Sequence, residues 1–544
     1  MKSNYKIGFL SLLSLMGICV SCKNSFFDKY PTDSMQMETY MKNDAEVKTI
    51  LLDSYYYLRD ISTNLIMLNS LATDEAYNFK SNNTTDFIEL NECSWDATLG
   101  VTSELWTYLY NVVNRCNNVL EHESTLSDTN RSQFVGEASF LRAYAYFNLV
   151  RLFGPVPLSK ETITDYKALY GYDRNAVSEV YELINSDLDK AISALPESYA
   201  GADMQGRATK IAAYTMKAEV LMTQKKYADA QTALSQVVSY SQAHPDKLGL
   251  ESDVVRVYDS KNPMGKEIIF AAQYNNGSTV VTNYLMRRCI PNAIPSNQPS
   301  YVYADGTNST ILCSQGVSCL MMTWELLNKY EEHPADTRLT KLVYTGIHDD
   351  NSKSMQTAEV KVNKDNYAYI PATLKYYDFE NQGQAQCYSS NDNIIYRFAD
   401  VLLMYAECLN RQGKTAEALK YLNMVHERAG LPALNLTSQE AMDLAIENER
   451  CLELCFEGHR WFDLLRTDRL TPVMKAHFTR RTPGLSARLQ ADDNGMVVED
   501  QNSSKALSTA KWKWDDSVKA EDILFPIPYS QIQLMSNWVQ NKGY

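Results

Sequence analysis

Two adjacent carboxylates, Asp74 and Glu75, are the residues whose types come closest to a catalytic pair. A glycosidase places two carboxyl groups on opposite sides of one glycosidic bond. Neighbouring side chains point in different directions, so this pair alone does not flank a single bond. A glycosidase on a helical barrel is therefore the least favoured of the functions that we consider.

Other sequence signatures of catalysis are absent from the 544 residues. The seven histidines are scattered, and no His-Glu-x-x-His, Gly-x-Ser-x-Gly or Gly-x-Gly motif occurs. Gly201 and Gly206 have the spacing of a phosphate loop, but the Lys and Ser/Thr that would hold phosphate are missing. We therefore predict that the protein is not an enzyme and has no catalytic residues, no metal site and no cofactor.

The composition is rich in tyrosine, which can close contacts between helices or form a binding surface. The chain has 36 Tyr against 16 Phe, and a tyrosine offers a flat apolar face with a hydroxyl at its rim. Such faces suit sugar rings, peptides and partner proteins. The net charge of −14 repels phosphate backbones, so we predict no nucleic-acid partner.

The first residues are typical of an export signal that ends in a lipid-attachment site. Lys2 and Lys6 precede an apolar stretch, residues 7–20, which is too short to span a bilayer. Ser21 is small enough for cleavage before Cys22, which we predict to carry the lipid. Residues 1–21 would then be removed, and the lipid would tether the protein without spanning the membrane. An ordinary secreted protein that is cut nearby is the alternative.

Apolar periodicity predicts a mainly helical protein. Helices are expected at residues 37–60, 103–122, 131–153 and 176–195, and a second helix at 61–71 would continue the first. Residues 207–240 and 393–429 each have the pattern of two antiparallel helices with small residues between them, which is similar to a tetratricopeptide unit. Residues 73–99, the middle region 244–392 outside a helix at 323–331, and the part after residue 465 are expected to be irregular.

Several residues with reactive side chains have a structural interpretation. Cys408, Cys451 and Cys455 lie in helical stretches and are expected in the core, whereas Cys313 and Cys319 could pair in their loop. The charges of the segment 449–466 are expected to form a buried ion network that fixes helix packing.

Four blocks of sequence resemble the SusD/RagB family, in family order and over nearly the whole chain. They are residues 134–143 with 153–157, residues 397–407, residues 448–466 and residues 526–528. Cys22 with Phe26, Phe27, Asp28 and Pro31 is similar to the mature start of that family. Two departures are Cys451, where a basic residue is common, and Lys23, which stands in place of an early acidic cluster.

The resemblance implies a fold of tetratricopeptide-like helical hairpins packed against a loop-rich region with short helices. We expect a signal peptide at 1–21, an N-terminal helical region at 22–243, an irregular middle at 244–392 and a C-terminal region at 393–544. The resemblance also implies a lipid-anchored outer-membrane protein, exposed at the cell surface, that delivers glycans to a SusC-like TonB-dependent transporter. A RagB-like protein that binds peptides is the alternative, and a scaffold that binds only the transporter is the third hypothesis.

A sugar site combines aromatic faces with amides and carboxylates that bond to the ring hydroxyls. The resemblance implies two sources for such residues, the loop after the first helices and the weakly periodic middle region. The candidate ligand-binding residues are Asp74, Tyr77, Asn78 and Trp95 in the first, and Tyr274, Asn275, Tyr301 and Tyr303 in the second. Trp106 lies on a predicted core face, so we expect it to be structural.

Overall fold

The computed structural model describes fourteen segments of the chain. They are residues 41–78, 85–164, 171–201, 204–275, 282–290, 300–302, 308–310, 316–317, 319–344, 371–378, 388–480, 490–491, 497–498 and 523–544. The predicted signal peptide and Cys22 lie outside them, and so does Cys313. No helix in these segments is both long and apolar enough to cross a membrane.

Helices dominate the described residues. They are α1 (Asp44–Leu71), α2 (Thr85–Asn91), α3 (Gly100–Glu121), α4 (Asp128–Phe153), α5 (Val177–Ala194), α6 (Lys210–Thr223), α7 (Tyr227–Ala243), α8 (Leu285–Cys289), α9 (Trp324–Glu331), α10 (Thr337–Leu342), α11 (Phe398–Arg411), α12 (Thr415–Arg428), α13 (Gln439–Glu453), α14 (Arg460–Arg466), α15 (Leu470–Arg480) and α16 (Tyr529–Leu534). Short 3₁₀ helices lie at Glu123–Thr125 and Val254–Tyr258.

The long helices form a stack in which each packs on the next. α1 packs on α3, α3 on α4, α4 on α5, α5 on α6 and α6 on α7. α7 packs in turn on α11, which also contacts α12 and α13. Small residues allow the close approach, because Ala213 and Ala218 of α6 and Ala230 of α7 are fully buried. The mainly helical fold with antiparallel hairpins is confirmed.

The two predicted hairpins turn in the same way. After α6, the N–H groups of Lys225 and Lys226 bond back to the carbonyls of Met222 and Leu221. After α11, Gly413 and Lys414 repeat this arrangement. The turn needs a left-handed residue, which is Gly413 (φ +76°) in one hairpin and Lys225 (φ +59°) in the other.

Ten short strands pair as five antiparallel two-stranded sheets in the described residues. The pairs are β1 (Ala76–Tyr77) with β5 (Met321–Met322), β2 (Ile268–Ala272) with β8 (Asn393–Arg397), β3 (Ser300–Val302) with β4 (Asn308–Thr310), β6 (Val343–Tyr344) with β7 (Ala372–Thr373), and β9 (Gln490–Ala491) with β10 (Val497–Val498). β2 connects the middle region to the stack, because Phe270 packs edge-on against Phe140 of α4, with the ring centroids 5.0 Å apart.

Charged side chains fill the space between the middle region and the C-terminal helices. Arg397 contacts Glu453, Glu457 and Glu267 at 2.6, 2.7 and 2.9 Å. We call this set the buried ion network; its members are Arg338, Lys375, Arg397, Arg428, Glu267, Asp336, Glu449, Glu453 and Glu457. The predicted burial and pairing of the charges in segment 449–466 is confirmed, since Arg450 and Arg466 also have carboxylate partners.

The sequence-based boundaries are wrong in three places. α1 is one uninterrupted helix, Asp44–Leu71, and not one helix to residue 60 followed by a second at 61–71. The expected loop 73–99 contains β1 and α2. The expected irregular tail contains α15 and α16; Pro472 is tolerated in α15 because it lies in the first turn, where its missing N–H is not needed. Cys408, Cys451 and Cys455 are buried, as predicted.

Candidate functional site

Three tyrosines form an exposed aromatic surface on α1 and α3, which we call the tyrosine platform. It consists of Tyr56 and Tyr57 of α1 and Tyr108 of α3. The rings of Tyr57 and Tyr108 lie 5.9 Å apart at 36°, and the ring of Tyr56 stands nearly perpendicular to Tyr57 at 6.3 Å. Tyr56 is 42% exposed, and the other two rings are half-buried.

The helical repeat explains why these rings point outward. Tyr55 and Leu58 are directed toward the stack, where the Tyr55 hydroxyl donates to Glu137 at 2.6 Å and Leu58 is buried. Successive residues of an α-helix are rotated by about 100°, so Tyr56 and Tyr57 lie on faces of α1 that are directed away from the stack. The same run of three tyrosines therefore anchors the helix and supplies its exposed face.

Two arginines support the rings of the platform. The Cζ atom of Arg59 lies 4.7 Å from the ring centre of Tyr56, and that of Arg115 lies 5.1 Å from Tyr57. Such cation–π contacts stabilise the ring positions. Arg59 is itself held by a 2.8 Å bond from Nε to the carbonyl of Gln273, and Arg115 forms an ion pair with Asp53.

Acidic groups lie beside the platform. Partial burial and the nearby charge of Glu104 raise the pKa of the Asp60 carboxyl above its usual value. Glu104 accepts a 3.0 Å bond from the Asn64 amide. Burial and these two carboxylates raise the pKa of Tyr108 as well, so all these groups share one electrostatic environment.

Tyr274, which follows β2, is the predicted residue that lies against this surface. Its hydroxyl donates to the carbonyl of Arg59 at 3.1 Å, accepts from Asn393 at 3.0 Å, and lies 3.1 Å from the Thr63 hydroxyl. Burial raises the pKa of Tyr274 to about 12, so the hydroxyl stays protonated. Asn275, the next residue, is exposed.

Tyr77 and Asn78 lie elsewhere, at the edge of β1. The backbone of Tyr77 pairs with Met321, and its half-buried ring lies 6.3 Å from that of His477. The Asn78 N–H donates to Asn91 at 3.3 Å. The Asn78 Oδ1 atom is buried and has no hydrogen-bond partner among the described residues.

Asp74 and Trp95 are buried and bonded within the protein. Arg460 binds both carboxylate oxygens of Asp74 at 2.8 Å and lowers the pKa of that carboxyl against the opposing effect of burial. Trp95 is 2% exposed; its indole stacks on Phe525 at 4.8 Å and donates to the Tyr544 hydroxyl at 2.7 Å. Their burial leaves no side-chain surface for a ligand and favours a structural role for both.

The two remaining candidates are only partly described. Tyr301 belongs to β3 and pairs with Ser309, but its side chain lies outside the described part of the chain. Tyr303 lies outside it altogether. The structure therefore brings Tyr274 to α1 beside the platform and leaves Asn275 exposed next to it in the chain, places Tyr77 and Asn78 at a second location, and withdraws Asp74 and Trp95 into the interior.

Asp74 and Glu75, the carboxylate pair considered for glycosidase chemistry, are both buried. Glu75 is 1% exposed, and burial raises its pKa to about 8, so it is protonated at neutral pH. It accepts bonds from the Ser70 hydroxyl at 3.0 Å and the Phe456 N–H at 3.2 Å. Because neither Asp74 nor Glu75 reaches solvent, this pair has no access to a glycosidic bond.

A cavity of about 380 Å³ lies apart from the platform. Its walls include Tyr199, Arg207, Tyr240 and Lys247. One of these residues, Arg207, contacts α1, because its Cζ atom lies 5.5 Å from the ring centre of Tyr55. Among the described residues, no cluster of three or more His, Cys, Asp or Glu could hold a metal ion.

These features define a protein of stacked helical hairpins with an exposed aromatic surface. Residues 266–544 match the family model described as "SusD family", and residues 25–222 match one described as "Starch-binding associating with outer membrane". Because the first match covers more than half of the chain, the protein belongs to the SusD family. The second description supports an association with the outer membrane.

Three similar proteins agree with this assignment. "SusD-like protein P38" of Formosa agariphila is 25% identical over 506 residues, which are 87% of this chain and 93% of the relative. A SusD homolog of Bacteroides thetaiotaomicron has a TM-score of 0.73 at 23% identity, over 93% of this chain and 98% of that one. A laminarin-binding SusD-like protein has a TM-score of 0.68 at 22% identity, over 92% and 100%.

Proposed function

We propose that the protein binds glycans on the tyrosine platform and delivers them to a SusC-like TonB-dependent transporter. The observation that carries this proposal is the exposed ring of Tyr56, with half-buried Tyr57 and Tyr108 beside it. An aromatic face fits the apolar C–H face of a sugar ring, and rings that are already fixed by packing lose little entropy on binding.

The charged groups around the rings favour a sugar over an apolar peptide. Asp60 and Glu104 accept hydrogen bonds, whereas Arg59 donates them. A sugar hydroxyl is both a donor and an acceptor, so it can bridge two such groups at once. Asn275, which is exposed beside Tyr274, extends this polar rim. A RagB-like peptide-binding protein remains the second candidate, since tyrosines also recognise peptides.

Membership in the SusD family supports the other half of the proposal. One neighbour in structure is described as laminarin-binding, and a matching family model as starch-binding. We propose that the protein is held at the outer membrane, with its body at the cell surface, by a lipid on Cys22. Metabolic labelling with a fatty acid tests this anchor; the wild type should carry the label and Cys22→Ser should not.

Binding to a panel of polysaccharides, including laminarin, and to peptide pools tests the proposed function. We expect a glycan ligand, and Tyr56→Ala should weaken its binding at least about tenfold, which is about 1.4 kcal/mol. Isothermal titration calorimetry measures both affinities.

Tyr529→Ala is the matched control, because Tyr529 is also an exposed tyrosine, 51% accessible, but lies on α16. It should bind as the wild type does. Equal affinities of Tyr56→Ala and the wild type would exclude the platform as the site. Binding of peptides alone would favour the RagB-like alternative.

A further inference from the structure

Two arginines beside the tyrosine platform have no carboxylate partner. Five arginines in the described segments have a buried side-chain nitrogen without a hydrogen-bond partner, namely Arg59, Arg151, Arg207, Arg288 and Arg428. Three of them nevertheless form ion pairs, at 2.7 Å for Arg151 and Arg207 and 3.0 Å for Arg428. Arg59 and Arg288 form none with the described residues. Arg59 lies over the Tyr56 ring of the platform, Arg288 lies against Phe87 of α2, and both act electrostatically on Asp60 of α1.

Arg288, in the last turn of α8, is the more isolated of the two. Its Cζ atom lies 5.5 Å from the ring centre of Phe87, and its side chain makes no hydrogen bond to the described residues. Burial lowers the pKa of its guanidinium. The backbone is fixed, because the Arg288 carbonyl accepts bonds from Cys319 and Leu320 at 3.1 and 2.9 Å.

Both guanidinium groups act on the same neighbours. Arg59 and Arg288 each lower the pKa of Asp60, and each interacts electrostatically with Tyr274. Arg59 has one bond, from Nε to the Gln273 carbonyl, while its Nη1 atom is buried and unpaired. Arg59 thus contacts a ring of the platform and Arg288 acts on Asp60 beside it, and each guanidinium has an aromatic ring as its neighbour in place of a carboxylate among the described residues.

A buried charge without a partner is unfavourable, and a ligand that supplies the partner gains that energy on binding. The guanidinium group is a planar fork that matches a carboxylate with two parallel hydrogen bonds. Asp60 and Glu104 do not fill this role, because neither lies within 4.0 Å of Arg59 or Arg288. Both are exposed and hence screened by water and salt.

We propose that the ligand of the tyrosine platform is an anionic glycan, whose carboxylate or sulfate group pairs with Arg288 and Arg59 while its rings lie on the tyrosines. This inference rests on the proposed function and adds the chemical class of the sugar. The net charge of −14 would make binding of an anionic glycan specific to this site, since the protein as a whole repels polyanions and only a local site can attract one.

Pairs of glycans that differ only in charge test the inference on the full chain. Polygalacturonate and its methyl ester differ in the carboxylate, and chondroitin sulfate and unsulfated chondroitin differ in the sulfate. We expect at least one charged member to bind at least about tenfold more tightly than its counterpart. The pair that shows the difference identifies the anionic group.

The Arg288→Gln variant tests the residue. We expect it to lose at least about tenfold in affinity for the charged glycan, with an unchanged unfolding midpoint. Arg256→Gln is the control, because Arg256 is exposed and lies outside the platform in the 3₁₀ helix Val254–Tyr258. It should bind as the wild type does.

The outcomes separate the two proposals. If neutral and charged members bind equally, in a way that depends on Tyr56 but not on Arg288, the anionic class is wrong and glycan binding stands. The same conclusion follows if Arg288→Gln and Arg256→Gln bind the charged glycan equally well. If no glycan of either kind binds, both proposals fail together.

Discussion

The buried ion network and the region of the tyrosine platform differ in how their arginines are paired with carboxylates. Arg397 of the network is 1% exposed and touches three carboxylates, so its positive charge is fully matched inside the protein. Arg288, which lies against Phe87, is partly buried and has no carboxylate partner among the described residues. The interior arginines of the network are paired with carboxylates, whereas Arg59 and Arg288 are not paired with any described carboxylate. Under the proposed function, these two unpaired guanidinium groups are where an anionic ligand would bind.

The largest expected effect is the loss of a network arginine. Arg397→Met leaves Glu267, Glu453 and Glu457 with one cation fewer in the interior, which should lower the free energy of unfolding by about 3–5 kcal/mol. Denaturant unfolding followed by circular dichroism measures this loss. Its control is Arg256→Met, with an expected loss of at most about 1 kcal/mol, because Arg256 is 54% exposed and its pair with Glu251 is long, at 3.6 Å. A loss of the same small size for Arg397→Met would mean that the network contributes no more than surface charges do.

Glu75 offers a second test, because it is a buried carboxyl that forms no ion pair with an arginine or lysine among the described residues. Its pKa is raised from 4.5 to about 8, so the folded state keeps a proton that the unfolded state releases. The associated stability is fully present below pH 4.5 and is lost as the pH rises through about 8. Glu75→Gln cannot release this proton. Its stability relative to the wild type should rise over that interval, by on the order of 3 kcal/mol.

Unfolding midpoints of the wild type and Glu75→Gln between pH 5 and pH 9 measure the Glu75 effect.

Glu457→Gln should change the free energy of unfolding in the opposite direction. Arg397 and Lys375 lower the pKa of Glu457 to about 2 despite its burial. The stability from its charge is present above pH 4.5 and is lost as the pH falls through about 2. Glu457→Gln should therefore be less stable than the wild type at neutral pH. Parallel pH profiles for Glu75→Gln and the wild type would contradict a neutral Glu75.

The smallest expected effect is that of Arg288→Met, which compares an unpaired arginine directly with the paired Arg397. Arg288→Met removes an unpaired charge and keeps most of the apolar contact with Phe87, so it should raise the free energy of unfolding by about 1 kcal/mol. The same substitution at Arg397 is expected to lower it. Denaturant midpoints of the two variants, measured side by side, give both signs. A destabilised Arg288→Met would show that Arg288 has an internal partner.

The stacked hairpins were predictable because local patterns dictate them. Small residues such as Ala213 and Ala218 at helical spacing can serve only a close helix contact, and the charges around Glu453 and Glu457 sit between apolar residues that must be buried. The burial of Trp95 was not predictable. Its cover comes from Phe525 and the Tyr544 hydroxyl, and Tyr544 lies 449 positions away, a distance at which no local pattern carries information.

The platform was missed for a different reason. Tyr55 and Leu58 have the helical spacing of a core face, and that spacing does not include Tyr56 and Tyr57 between them. The signal was nevertheless present: if residue 55 faces inward, the helical repeat rotates residue 56 outward. Tyr108 joins them only through the packing of α3 on α1. An aromatic residue that falls out of phase with a core face is thus a candidate for an exposed aromatic surface.

The double role of α1 has a consequence for how quickly a ligand can be captured. Tyr55 donates to Glu137, and its hydroxyl also accepts the Ala208 N–H at 3.0 Å, so the turn that displays Tyr56 is anchored to two other parts of the fold. The displayed rings need no rearrangement before an encounter becomes productive. Association should therefore be limited by diffusion and orientation, and differences in affinity between ligands should arise mainly from how slowly each one leaves.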